Sequence, residues 1–367
     1  MLCVVAASRL QRDEGSRVRD RLHSLLGMDT VLLTEPSEVK VDDGLILVPA
    51  TGGTERILAY AIESTSGPIM LWALPGNSLA SALEVYSVYR DRVLFVHSSL
   101  GGGIERVARF VGLCGLLNSR IRVGIVGGIS EWLLTSSRED AERLGFEVVD
   151  IGLEELLRYG TDVEGLGKAL EEIVRKYGLS AVTVKCFDLL EHGTTACLPM
   201  AKLSVPAGCE GDVGALVTMV VSSRISGRPS WMANVCRLDP LVLAHCTVPL
   251  SMVRDYELTT HAESGKGVAV RGRMKEGVVT VSRYGRGRML IGLGRIVRNL
   301  RERGLCRTQV ELEPFFDLEE FVENCLGNHV VLTYGDITRE LSYFCRLKGV
   351  EPIVLRPYRL HHTSGAD

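Results

Sequence analysis

Short aliphatic runs alternate with helix-period segments along the first half of this chain, and that alternation restricts the fold more than any other feature. LCVVAAS, TVLLT, GLILVPA, PIMLWAL and RVLFVHS are apolar on both faces. Strands of that kind need both faces covered, as in a parallel sheet packed against helices. TERILAYAIES and NSLASALEVYSVYRD supply helices between them. A second set repeats the arrangement without repeating the sequence: RVGIVGG, SREDAERLG, FEVVDIG, VEGLGKALEEIVRKYG and AVTVKCF. Near residue 200 the pattern changes. GCEGDVGALVTMVVSSRISG reads as a turn entering a buried helix, and VLAHCTVP, GVAVRGRM, GVVTVSRYG and TQVELE read as strands joined by glycine-rich turns. The expected fold class is α/β: two Rossmann-like parallel-sheet domains, residues 1–118 and 119–200, followed by a β-rich C-terminal domain, 201–367. That last domain should close with a helix in DITRELSYFCRLKG, a strand in EPIVLRPY and a frayed tail, LHHTSGAD.

Composition narrows the function classes. A formal net charge of -3 provides no global field for nucleic acid or an anionic membrane. No run approaches the roughly 20 apolar residues of a membrane span. The opening MLCVVAASRLQRDEG is too short for a signal segment and reads as a first buried strand. The ten cysteines include no CxxC pair and lie mostly in apolar surroundings. They are expected to be reduced, buried thiols of a cytoplasmic protein.

Several segments have the residue types that bind or react. VPATGGTE and GIVGGISE are strand-to-helix turns whose free N–H groups can hold an anion, or are plain turns. In LWALPGNSLAS, Trp72, Asn77 and Ser78 stand at a strand end, where ligands of open parallel sheets gather. The alternative there is a helix N-cap at Asn77 or Ser78. The C-terminal half concentrates more chemistry. Glu210 and Asp212 flank a glycine at a helix start, followed by Asn234, His245, His261 and His329. Carboxylate and imidazole together suit Mn²⁺, Zn²⁺ or Fe²⁺ better than Ca²⁺. Lys266, Arg271 and Arg273 follow His261 and can steady an anion, or form a solvated basic strand face.

The ordered series CEGDVGALVTMV, PSWMANV, LAHCTVP, HAESGKGVAVRG, GVVTVSRYG and LGNHVVLTYGDITREL resembles the C-terminal region of the L-fucose isomerase family and its shorter archaeal and bacterial relatives. RVGIVGGISEWLL and VKCFDLLEHGTTACLPMAKL are similar to that family's middle domain, so the resemblance covers roughly residues 120–345. It implies a metal-dependent aldose–ketose isomerase. A divalent cation, usually Mn²⁺, bridges O1 and O2 of an open-chain sugar, and two acids move a proton between C1 and C2 through an enediol. The family's Glu falls on Glu210, its metal-binding His on His329, and its second acid on Asn234. Catalysis is thus expected at Glu210 and Asn234, metal binding at Glu210, Asn234 and His329, and contacts to a sugar or polyol at Trp72, Asn77, His245, His261, Lys266 and Asn328. A homo-oligomer, trimer or hexamer, is also implied. Asn234 departs from the family pattern, because an amide has neither a titratable proton nor a charge. Asp212, Glu263 or His245 would have to compensate, or Asp239 is the true partner. Otherwise the scaffold serves a non-catalytic sugar-binding or regulatory role, or a different enediolate reaction such as epimerisation or carbon–carbon cleavage.

Overall fold

The computed structural model describes residues 1–356. The expected frayed tail and the end of EPIVLRPY lie outside the described residues. The chain divides into two compact units, residues 1–119 and residue 120 onward.

The first unit contains β1 (Leu2–Ala6), α1 (Arg12–Leu26), β2 (Thr30–Leu33), β3 (Leu45–Pro49), α2 (Glu55–Glu63), β4 (Ile69–Ala73), α3 (Asn77–Tyr89), β5 (Val93–His97) and α4 (Leu100–Leu117). Its five strands are all parallel in the order β2-β1-β3-β4-β5, a doubly wound arrangement. Every residue of β3 and β4 is buried, which is why these strands read as continuous apolar runs rather than alternating ones.

The second unit contains β6 (Arg122–Val126), α5 (Glu139–Glu142), β7 (Glu147–Ile151), α6 (Leu153–Leu156), α7 (Val163–Tyr177), β8 (Ala181–Val184), α8 (Cys197–Lys202) and β9 (Ala207–Cys209), followed by α9 (Val213–Ser226). After them come β10 (Ser230–Arg237), β11 (Leu241–His245), β12 (Val253–Thr259), β13 (Ala269–Met274), β14 (Gly277–Gly285), β15 (Arg288–Asn299) and β16 (Thr308–Pro314). The described chain ends with α10 (Leu318–Glu323), β17 (His329–Tyr334), α11 (Thr338–Lys348) and β18 (Glu351–Val354). Strands β7-β6-β8-β9 form a second parallel sheet. The later strands follow the order β14-β17-β10-β11-β16-β15, and β14 also pairs with β15, so this antiparallel sheet closes on itself as a barrel. Closure removes free edges. The interior is filled by Trp231, Leu243, Val281, Leu290, Val310 and Leu332, among others. The parallel and antiparallel sheets thus share one compact unit.

Helix α9 joins them. Eleven of its residues are buried, from Val213 through Ser222 and at Ile225. It packs against β8 and β9 on one side and β10, β14 and β17 on the other. A helix covered all round needs no polar stripe, which accounts for the run VGALVTMVV, apolar but for Thr218, whose hydroxyl donates to the Gly214 carbonyl and accepts the Tyr284 N–H.

Candidate active site

Glu210 follows the C-terminal end of β9, and Asp212 caps α9 by accepting the Ala215 N–H at 2.9 Å. The turn between them is tight. Glu210 has φ 63 and Gly211 φ 71. A Cβ at position 211 would lie 2.3 Å from the Gly128 carbonyl oxygen, so this position requires glycine. Non-glycine residues rarely adopt a positive φ, and the cost of about 1–3 kcal/mol has to be met by the surroundings. The loop after β6 provides the contacts. The Ser130 N–H donates to the Glu210 carbonyl at 3.0 Å, and the Ser136 hydroxyl to that of Gly211 at 3.0 Å. The Trp132 indole N–H donates to Glu210 Oε2 at 2.8 Å.

His329 opens β17 and is fully buried. Its Nδ1 lies 2.8 Å from Asp212 Oδ2, and an ionised carboxylate can only accept, so this nitrogen carries the proton. Nε2 is then left with its lone pair. That atom is buried, has no hydrogen-bond partner, and stands 3.8 Å from Glu210 Oε1. A carboxylate behind an imidazole is the usual device for orienting a metal ligand. His245 ends β11, its ring centroid 5.5 Å from that of His329. One ligand atom from each of Glu210, His245 and His329 lies within 4.8 Å of the other two, so this buried trio could hold a metal ion. Its mixed oxygen and nitrogen donors suit Mn²⁺, Fe²⁺, Co²⁺ or Zn²⁺.

A buried ion pair supports the trio. Arg283 Nη1 donates to both Asp212 oxygens at 2.9 Å, and neither side chain meets solvent appreciably. Burial alone would raise the Asp212 carboxyl, but the Arg283 charge and the His329 contact outweigh it, and the net shift is downward. Burial, reinforced by repulsion from His329 and His261, pushes His245 down to about 3, so its imidazole is neutral.

Of the remaining expected site residues, Asn234 and His261 lie beside the trio. Asn234 stands directly opposite His329 in the β10–β17 ladder, so both side chains emerge on one face. Its Oδ1 accepts from Asn328 Nδ2 at 3.3 Å. His261 is buried beside Ser264, its ring edge-on to Phe187 with centroids 5.6 Å apart. Lys266 is exposed and donates to the Leu190 carbonyl at 3.0 Å. Arg271 and Arg273 pair with Glu257 and Asp255 on the two-stranded ribbon β12–β13, so their charges are neutralised there. In the first unit, Asn77 is the exposed first residue of α3, preceded by Gly76 as the cap. Trp72, expected to meet a ligand, is fully buried. Its N–H donates to Ser98 Oγ at 3.1 Å, and its ring packs so closely on Gly103 of α4 that a Cβ there would be 2.0 Å away. A cavity of about 690 Å³, lined by Lys202, Arg224 and Ser230 among others, includes none of the Glu210, His245 and His329 trio. Sequence reasoning missed Trp132 and Phe187. The one available signal was an aromatic residue just after the glycine turn of RVGIVGGISEW.

Fold and site together define an α/β protein with a buried carboxylate–imidazole cluster whose spacing could hold a metal ion. No protein-family model matches the chain. It is similar to the sulfoquinovose isomerase of Clostridium sp. (strain MSTE9), with 27% identity over 206 residues, covering 48% of this chain and 44% of the relative. The match thus spans less than half the length of that curated relative.

Proposed function

We propose that the protein is a metal-dependent aldose–ketose isomerase acting on a sugar through an enediol. The reading rests above all on the unpartnered, buried Nε2 of His329 beside Glu210. Glu210, His245 and His329 would hold the ion. A divalent cation, Mn²⁺ in this reading, supplies positive charge that stabilises an oxyanion developing on the substrate. Glu210 carries the proton between C1 and C2, with Oε2 fixed by Trp132. Asn234, on the face shared with His329, orients a hydroxyl through its carbonyl oxygen. The similarity to a sulfoquinovose isomerase supports a sugar as substrate. Ten free cysteines, seven of them buried, fit a reducing, cytoplasmic setting. A homo-oligomer, trimer or hexamer, belongs to the same reading. No helix among the described residues is long and apolar enough to cross a membrane.

The test is turnover of an aldose and ketose panel, sulfoquinovose included, in D₂O with and without Mn²⁺. A proton shuttled through solvent-exchangeable Glu210 introduces deuterium at C1 or C2, and Glu210→Gln lowers the rate by about 10²–10⁴-fold. Wild-type turnover in Glu210→Gln would show that the base is misassigned. The amide at position 234 favours a second reading, a sugar-binding protein without turnover. Ligand-dependent thermal stabilisation with no deuterium incorporation on any sugar selects it.

A further inference from the structure

We infer that Trp132 is the positioning residue for Glu210, and that its exposed indole face is the surface on which the carbon skeleton of the substrate rests. The inference deepens the isomerase reading and depends on it for the identity of the ligand.

Three observations carry it. First, the two Glu210 oxygens have different partners: Oε2 accepts the Trp132 N–H at 2.8 Å, while Oε1 faces His329 at 3.8 Å. Removing the indole N–H frees a carboxylate whose backbone is already in the left-handed region. Second, Trp132 is 50% exposed, whereas Trp72 and Trp231 are fully buried. Its polar edge points at the site and half of its surface faces outward. Third, Trp132 begins an aromatic row. Its ring meets Phe187 edge-on with centroids 5.0 Å apart, and Phe187 meets His261 in the same way at 5.6 Å. A sugar presents C–H groups as well as hydroxyls, and an amphipathic ring with one polar edge matches both.

Two variants separate the roles. Trp132→Phe keeps a ring and loses the N–H. Its kcat should fall by about 10–100-fold, as for other residues that orient a metal ligand, with KM little changed. Trp132→His keeps an N–H donor and loses most of the ring face, and its KM should rise roughly 3–10-fold. Wild-type kcat in Trp132→Phe, or the same constant moving in both variants, overturns the inference. A second readout needs no turnover: Co²⁺ added to metal-free protein should quench tryptophan emission, and Trp132→Phe should remove most of that quenching. Quenching through Trp132 without turnover of any sugar sinks the isomerase reading and leaves the positioning role standing. Turnover with an unaffected Trp132→Phe does the reverse.

Discussion

Replacing Asp212 by asparagine should destabilise the second unit more than any other single change of equal size near the site. The carboxylate is fully buried and neutralises Arg283, whose side chain is 1% exposed. Arg283 Nε and Nη2 already lack hydrogen-bond partners, so the two 2.9 Å contacts from Nη1 are its remaining side-chain hydrogen bonds. Breaking a buried pair by removing one partner costs about 3–5 kcal/mol. For a unit of this size, roughly 2–4 °C per kcal/mol, that is a fall in Tm of about 6–20 °C. The 2.8 Å contact that fixes the His329 tautomer is weakened in the same step, so affinity for Mn²⁺ should drop by about 10–100-fold. Calorimetry and metal titration of Asp212→Asn, Arg283→Met and the double variant provide the assay. The double variant should be less destabilised than the sum of the singles, because it leaves no uncompensated buried charge. A melting temperature for Asp212→Asn within about 2 °C of wild type would refute the reasoning.

The neutral state of His245 has a consequence in metal-free protein. Its folded-state pKa is about 3 against an ordinary 6.5, so below pH 6.5 the unfolded chain binds a proton that the folded one refuses. Stability is therefore lost as pH falls from 6.5 toward 3. Urea midpoints across that window should show unfolding taking up about one proton more in wild type than in His245→Leu; identical pH slopes would contradict the assignment. Gly211→Ala should destabilise by at least roughly 1–3 kcal/mol from its φ alone. The 2.3 Å collision with the Gly128 carbonyl adds to that, and thermal melts measure the total.

Strands β3 and β4 were legible because burial on both faces leaves a continuous apolar run, and α9 was legible for the same reason; the three-residue β9, read as part of a turn, was not. The strands at Ser230–Arg237, Val253–Thr259 and Arg288–Asn299 were not marked in advance. The first is interrupted by Asn234 and half-exposed beyond it, and β12 is mostly exposed. The third contains two glycines, and its register with β14 and β16 is set by distant partners. Glu210 and His329 were marked as chemistry-bearing by residue type and resemblance. Their approach to 3.8 Å follows from β9 and β17 flanking α9. Trp132 was hidden, because its role arises only when the loop after β6 folds back over the Glu210 turn. Trp72 stands at a strand end that commonly meets ligands, but Gly103 lets α4 close over the indole, which composition does not signal.

The central claim is that Glu210, His245 and His329 hold one divalent cation. Equilibrium dialysis of chelator-stripped protein against Mn²⁺ tests it most directly. The account predicts one ion per chain in wild type and its loss in His329→Gln at unchanged secondary structure. Undiminished Mn²⁺ binding by His329→Gln would contradict it.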